Sequence, residues 1–285
     1  MHVSKGKPGP GLYFISTPIG AARDITLRAL DLLAEADVIA AEDTRTLRHL
    51  MDIHGVALGD RPLWAYHDHN GAQVRPRILA ALAEGKSVVY ASEAGTPLVA
   101  DPGYQLGRAA IAAHHPVLAA PGASAVLAAL TVSGLPSDRF LFAGFPPAAA
   151  QARRSWLAEL AGIKATVIFY ESPNRVQEML ADLVTCFGGE RQAAVCRELT
   201  KKFEEVTRGP LAEVCAGYAD RKVKGEIVVL VDRAAEKSVD AVTIDTTLRE
   251  ALAQMTVKDA AAFVADMYGL PRRDVYQRAL QIGRD

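Results

Sequence analysis

The sequence predicts an α/β protein: two successive α/β domains and a small three-helix domain at the C-terminal end. Three observations carry this. From Leu12 to Thr131, short apolar runs alternate five times with helix-patterned segments, the mark of βαβ units and a mostly parallel sheet covered on both faces. After Gly134, apolar runs follow one another more closely, which implies a second sheet mixing parallel and antiparallel pairs. After a polar stretch without a clear period come three short amphipathic patterns.

In chain order, the first strands are expected at Leu12–Ser16, Val38–Ala41, Leu63–Tyr66, Val88–Ala91 and Val117–Ala120. Each leads into a helix, at Leu27–Ala36, Thr44–Ile53, Ala72–Ala83, Tyr104–Ala113 and Ala123–Thr131. In the second domain, strands are expected at Arg139–Phe145, Thr166–Tyr170, Gln192–Arg197, Glu204–Arg208 and Gly225–Val231. A basic helix carrying Arg153 and Arg154 follows the first of these, and further helices cover Arg175–Cys186 and Leu211–Tyr218. The final helices are expected at Thr247–Gln254, Val257–Tyr268 and Arg272–Gln281, with Thr256 and Asp259 as a capping pair and Pro271 restarting the chain after Gly269. These readings place the domains at 1–121 and 122–233, a linker at 234–245 and the helical domain at 246–285.

Composition narrows the function classes. Half of the 285 residues are hydrophobic, 23% are charged and the net charge is −1. A globular core is expected, with no global field for nucleic acid or a membrane, so any nucleic-acid site must be a local patch. The N-terminal MHVSKGKPGP lacks the apolar stretch of a signal peptide. The most apolar window, Pro116–Leu135, is broken by Pro121-Gly122 and Ser133-Gly134, so no membrane span is expected. Cys186, Cys196 and Cys215 are scattered, with no C-x-x-C. That favours reduced core thiols, no metal and a cytoplasmic protein.

The informative segments are loops at predicted strand ends, where open parallel sheets bind ligands. Four stand out: Ser16–Gly20 (STPIG), Ala41–Arg45 (AEDTR), Ser92–Gly103 (SEAGTPLVADPG) and Ala120–Ser124 (APGAS). Glycine lets a backbone approach a ligand closely and proline fixes a loop beforehand. Taken singly, each is an ordinary turn; four at one sheet edge point to a cleft suited to a nucleoside. No G-x-G-x-x-G, G-x-x-x-x-G-K-[ST] or G-x-S-x-G is present. Asp43 or Thr44 and Asn70 are candidate helix N-caps, and His67-Asp68-His69 offers no third metal ligand. Arg153-Arg154, Arg175, Arg197–Lys202 and Lys222–Lys224 give the second domain local cations that could meet phosphates, or face solvent.

The ordered series TPIG, DIT-x-RA, AEDTR, HDHN, S-x-AGTP, DPG, PG-x-SA, SGLP, FYES, RELTK and KGE, from about Gly11 to Val231, resembles the small-subunit rRNA methyltransferase I family within the tetrapyrrole methylase superfamily. The tail from Leu248 resembles that family's C-terminal helical domain. The resemblance implies a tetrapyrrole-methylase-like fold, S-adenosyl-L-methionine held between two α/β domains, and a homodimer. It implies methylation of a cytidine ribose 2′-hydroxyl in the decoding region of 16S rRNA, within the assembled small subunit. Pro18, Glu93, Gly95, Thr96, Asp101, Ser124, Ala125, Leu199, Gly225 and Glu226 are then expected at the cofactor. Glu42, His69 and Lys201 are candidates for handling the hydroxyl proton, and Arg45, Arg153, Arg154, Arg175, Lys202, Arg272 and Arg273 for RNA. Glu93 stands where the family has Asp, Ala21 where it has Asn, and Asn174 where it has His. A superfamily enzyme acting on a tetrapyrrole precursor and a non-catalytic RNA-binding module are the alternatives.

Overall fold

The computed structural model describes residues 6–234 and 241–283. The chain forms two compact units, Met1–Ala234 and Ala235–Asp285. In the first unit, β1 (Gly11–Ile15), α1 (Leu27–Glu35), β2 (Val38–Ala41), α2 (Thr44–Ile53), β3 (Leu63–Ala65), α3 (Gly71–Ala83), β4 (Ser87–Ala91), α4 (Tyr104–Ala112) and β5 (Val117–Ala120) alternate along the chain. They are followed by α5 (Ala125–Ser133), β6 (Phe140–Gly144), α6 (Ala150–Leu160), β7 (Thr166–Glu171), α7 (Val176–Phe187), β8 (Gln192–Arg197), β9 (Glu205–Pro210), α8 (Leu211–Tyr218) and β10 (Ile227–Val231).

The first sheet has the order β3-β2-β4-β1-β5, and every pair is parallel. Its side chains divide by the two-residue strand period. Tyr13, Ile15, Ile39, Val89 and Ala91 pack on one face, while Leu12, Phe14, Val38, Ala40, Val88 and Tyr90 pack on the other. Burial on both faces explains why these strands read as unbroken apolar runs. The second sheet has the order β6-β7-β10-β8-β9; only β6 and β7 pair in parallel. One face packs on α6, α7 and α8 through Val167, Phe169, Val195 and Val229. The other, carrying Ile168, Ala194, Cys196, Val228 and Leu230, meets Val126, Ala129 and Leu130 of α5. The sequence of α5, AVLAALTVS, is almost wholly apolar, so this helix leaves the first sheet and buries itself against the second.

Asn70 occupies the N-cap position of α3 as expected, but its side chain makes no cap bond; its Oδ1 accepts from His67 N at 2.9 Å and its Nδ2 donates to Ala65 O at 3.0 Å, so it staples the HDHN turn. Asp43 does cap α2, accepting from Arg45 N and Thr46 N. In the second unit, α9 (Ala241–Leu252), α10 (Val257–Tyr268) and α11 (Arg272–Ile282) surround Leu248, Val264, Val275 and Ala279. Thr256 caps α10 by accepting from Asp259 N. Of the expected linker, residues 235–240 lie outside the described residues, and α9 begins at Ala241, ahead of the expected Thr247. Residues 1–5, part of the segment read against a signal peptide, also lie outside. Among the described residues, no helix is long and apolar enough to cross a membrane.

Candidate functional site

The strand order brings all four singled-out loops to one sheet edge, with AEDTR after β2 beside β4 and the other three tied together. β4, β1 and β5 are neighbours, so the turns after them share one sheet edge. Thr17 N donates to Gly95 O at 3.0 Å and Gly95 N to Thr17 O at 3.1 Å. Thr96 Oγ1 donates to Ala123 O at 2.9 Å and lies 3.1 Å from Ser16 Oγ, so the Ser16 hydroxyl donates to it. One threonine thereby ties the loops after β1, β4 and β5. Gly95 has φ +81, and a Cβ there would meet Ile19 Cγ2 at 3.2 Å. The position requires both the left-handed backbone and the absence of a side chain.

Facing these turns are the ends of β7 and β8 and the start of β10. Between the two walls lies a cleft of about 400 Å³, within the size range of small-molecule sites. Gly95, Thr96, Asp101, Ser124 and Ala125 line it from the first wall, and Leu199, Gly225 and Glu226 from the second. Pro18 and Glu93 do not line it. Ile19 takes the place expected of Pro18, and Glu93 is exposed, its N–H donating to Glu42 Oε2 at 3.1 Å. Ile19, Val99, Phe145, Tyr170, Cys196 and Val228 also line the cleft. The Tyr170 ring meets Phe142 and Phe145 edge-on, at 4.7 and 5.5 Å between centroids.

Charge in the cleft is set by burial. Burial, and then the nearby Glu42 carboxyl, push the Asp101 carboxyl up to about 7. Burial likewise pushes the Tyr170 phenol and the Cys196 thiol up to about 12, so both are neutral. Beside the cleft, Lys201 Nζ bonds Glu198 Oε1 at 3.0 Å and Glu226 Oε2 at 2.9 Å. Burial works to lower the lysine pKa, but the combined pull of Glu226 and Glu198 raises it above the usual range. This pairing makes Lys201 a tie between the loop after β8 and the start of β10, and its raised pKa works against the proton-accepting role expected of it. Glu42 and His69 do not line the cleft either. His69 follows β3, two strands from β4 and roughly 10 Å along the sheet, whereas Glu42 follows β2, the neighbour of β4, and stands behind the cleft wall with its Oε2 accepting from Glu93 N.

The expected RNA cations divide by environment. Arg153 is 2% exposed, with Nε 2.7 Å from Asp182 Oδ2 and Nη2 3.3 Å from Glu178 Oε2. It is a structural cation between α6 and α7, which corrects its expected role. Arg175 is held by Glu171, with Nη2 2.6 Å from Oε1. Arg154 is half-exposed near Asp182, and the Arg45 side chain is 91% exposed although paired with Asp43. Lys202 is exposed over the Phe203 ring. Asn174 is exposed and does not line the cleft. In the second unit, Lys258, Arg272, Arg273 and Tyr276 border a depression of about 450 Å³ between α10 and α11.

Comparison with known proteins agrees with this architecture. Residues 11–215 match the family described as Tetrapyrrole (Corrin/Porphyrin) Methylases, and residues 238–283 match the RsmI C-terminal HTH domain. The ribosomal RNA small subunit methyltransferase I of Mesorhizobium japonicum is 48% identical over 274 residues, 96% of this chain and 92% of that protein. Its namesake in Escherichia coli O157:H7 is 39% identical over 284 residues, 98% of both chains. Among solved structures, the methyltransferase CobJ superposes with a TM-score of 0.59 at 22% identity, covering 81% of this chain and 97% of that one. Uroporphyrin-III C-methyltransferase from Thermus thermophilus, complexed with S-adenosyl homocysteine, gives 0.53 at 20% identity, covering 77% and 96%. At such identities the likeness is one of fold, while the near-full-length relatives carry the assignment. The chain belongs to the tetrapyrrole methylases and, within them, to the ribosomal RNA small subunit methyltransferase I family.

Proposed function

We propose that this chain uses S-adenosylmethionine to methylate the ribose 2′-hydroxyl of a cytidine in the decoding region of 16S rRNA. It acts as a homodimer on the assembled small subunit. The observation that carries the reading is the cleft between the two sheets, in a chain of this methyltransferase family. The lining fits a ligand with apolar parts and a positive charge. Its walls are largely apolar, Gly95 lets backbone approach closely, and Asp101 titrates near neutrality, where a cation beside it would favour the carboxylate.

When bound, S-adenosylmethionine supplies an electrophilic methyl group. Gly95, Thr96, Asp101, Ser124 and Ala125 would hold it from one side, and Leu199, Gly225 and Glu226 from the other. The loops are fixed to one another in advance, so binding costs little loop ordering. Apolar walls keep water from the reacting centre, and a fixed acceptor hydroxyl gains from proximity. Of the expected cations, Lys202 and Arg273 are exposed toward rRNA phosphates, while Arg45 and Arg272 are exposed but paired with Asp43 and Asp266. A chain of net charge −1 with such local cations suits a folded RNA read by shape.

The test is incubation with labelled S-adenosylmethionine and small subunits lacking ribose methylation, followed by nuclease mapping. Label in a 2′-O-methylcytidine of the decoding region is expected. Label on a base, or on a tetrapyrrole only, overturns the reading.

A further inference from the structure

The left-handed backbone region is disfavoured for residues with a Cβ. Thirteen described glycines adopt positive φ, but only five other described residues do: Leu98, Ala100, His114, Glu198 and Thr200, at φ 71, 62, 59, 53 and 63. His114 has an ordinary reason, because it follows the end of α4. The other four bracket two residues. Leu98 and Ala100 flank Val99, and Glu198 and Thr200 flank Leu199. Val99 and Leu199 line the same cleft, one from each wall. Strained backbone persists only where the surroundings over-determine it, and it concentrates at ligand clamps.

Side chains explain why glycine does not stand at three of these positions. Leu98 Cδ1 packs 3.3 Å from where a Cβ on Gly103 would sit. Glu198 Oε1 accepts from Glu226 N at 2.9 Å and from Lys201 Nζ at 3.0 Å, tying the loop after β8 to the start of β10. Thr200 Oγ1 accepts from Ala21 N at 3.1 Å, tying the same loop to the one after β1. Thr200 N donates to Glu204 Oε2 at 2.5 Å, which fixes the strained turn from behind. Ala100 lines the cleft and has no such anchor.

We propose that Leu98–Ala100 and Glu198–Thr200 are a matched pair of preset jaws, in which left-handed flanking residues hold Val99 and Leu199 as positioning residues against the apolar part of the cleft's ligand. This rests on the cleft being the S-adenosylmethionine site. Presetting both jaws removes loop-ordering cost from binding, and fold stability is lower for it.

Ala100→Gly is the cleanest probe. Glycine tolerates φ 62 without strain but frees the jaw to leave that geometry. Thermal melting and calorimetric titration with S-adenosylmethionine are compared in wild type, Ala100→Gly, Val99→Ala, Leu199→Ala and Ser124→Trp. For Ala100→Gly, an unchanged or slightly raised melting temperature is expected. Its dissociation constant rises about three- to tenfold, with a less favourable binding entropy. For Val99→Ala and Leu199→Ala, a rise of about fivefold or more is expected in protein that still melts cooperatively. A merely structural strain would move melting and leave affinity alone. Affinity within twofold of wild type in all three jaw variants, while Ser124→Trp abolishes binding, overturns the jaws and keeps the site. Failure of wild type to bind, or full binding by Ser124→Trp, overturns the site itself.

Discussion

Thr17 and Gly95 exchange a reciprocal pair of backbone hydrogen bonds, 3.0 and 3.1 Å long, that welds the turn after β1 to the turn after β4. The weld depends on Gly95 at φ +81. In Gly95→Ala, a left-handed alanine costs about 1–2 kcal/mol, and the new methyl crowds Ile19 Cγ2. A melting temperature lower by a few degrees is expected from the strain, and a weaker S-adenosylmethionine affinity, by about threefold or more, is expected because the displaced turn lines the cleft. Thermal melting and calorimetry check both. Unchanged affinity would remove the weld from the binding site.

Asp101 gives a pH signature. Burial, then Glu42, raise its folded pKa from 3.8 to about 7. A raised carboxyl contributes stability that is fully present below about pH 4 and lost as pH climbs through about 7. The full shift at about 1.4 kcal/mol per unit overstates the loss for a partly exposed group, and about 2 kcal/mol is expected. Asp101→Asn does not titrate, so its stability relative to wild type should rise between pH 5 and pH 8 in denaturant melts. A cationic ligand should bind wild type more tightly as pH rises through 7 and release protons as it does so; in the Asn variant both effects should vanish. A pH-independent stability difference would refute the assignment.

Arg153 tests how a buried cation differs from a nucleic-acid contact. It is held by Asp182 and Glu178. Removing one partner of a buried pair leaves the other charge without compensation, at about 3 kcal/mol or more. Arg153→Met should therefore lower stability substantially. Below its melting transition, it should leave the salt dependence of subunit binding unchanged, as filter binding at several ionic strengths would show. A shallower salt slope would return Arg153 to the RNA face.

These residues show where local sequence is informative. The strands of the first sheet were legible because apolar runs ended at glycine and proline turns, and burial on both faces kept them apolar. The cleft's first wall was legible for the same reason, since its turns carry Gly95, Thr96 and Ser124. Leu199, Gly225 and Glu226 on the second wall came from the family resemblance. Tyr170, Cys196 and Val228 were missed, because only the order β6-β7-β10-β8-β9 brings their strand ends to one place. The exclusion of His69 depends on strand order in the same way, since β3 lies two strands from β4. Arg153 read as an RNA cation because its partner Asp182 lies 29 residues further on. The start of α9 was missed because AVTIDTT is rich in β-branched residues of modest helix propensity. Packing of Ile244 and Leu248 into the helical core stabilises that helix.

The helical unit carries its own cationic surface. Arg272 is committed to Asp266, at 3.0 Å. Lys258 and Arg273 have no ion pair among the described residues, and they border the same depression as Tyr276, which is 39% exposed. Two available cations beside an aromatic ring suit a phosphodiester with a neighbouring base stacked on the ring. Reversing both charges, in Lys258→Glu/Arg273→Glu, should weaken subunit binding by about tenfold or more. It should also reduce the salt slope by about 2, one per lost phosphate contact. Tyr276→Ala should weaken binding with little change in slope, because stacking releases no counterions. Helical content and the melting transition should stay at the wild-type values in both variants, which separates an RNA contact from damage to the helical unit's fold. If the double reversal binds subunits with wild-type affinity and slope, the helical unit does not touch the RNA, and Arg45 and Lys202 remain as the phosphate contacts to test.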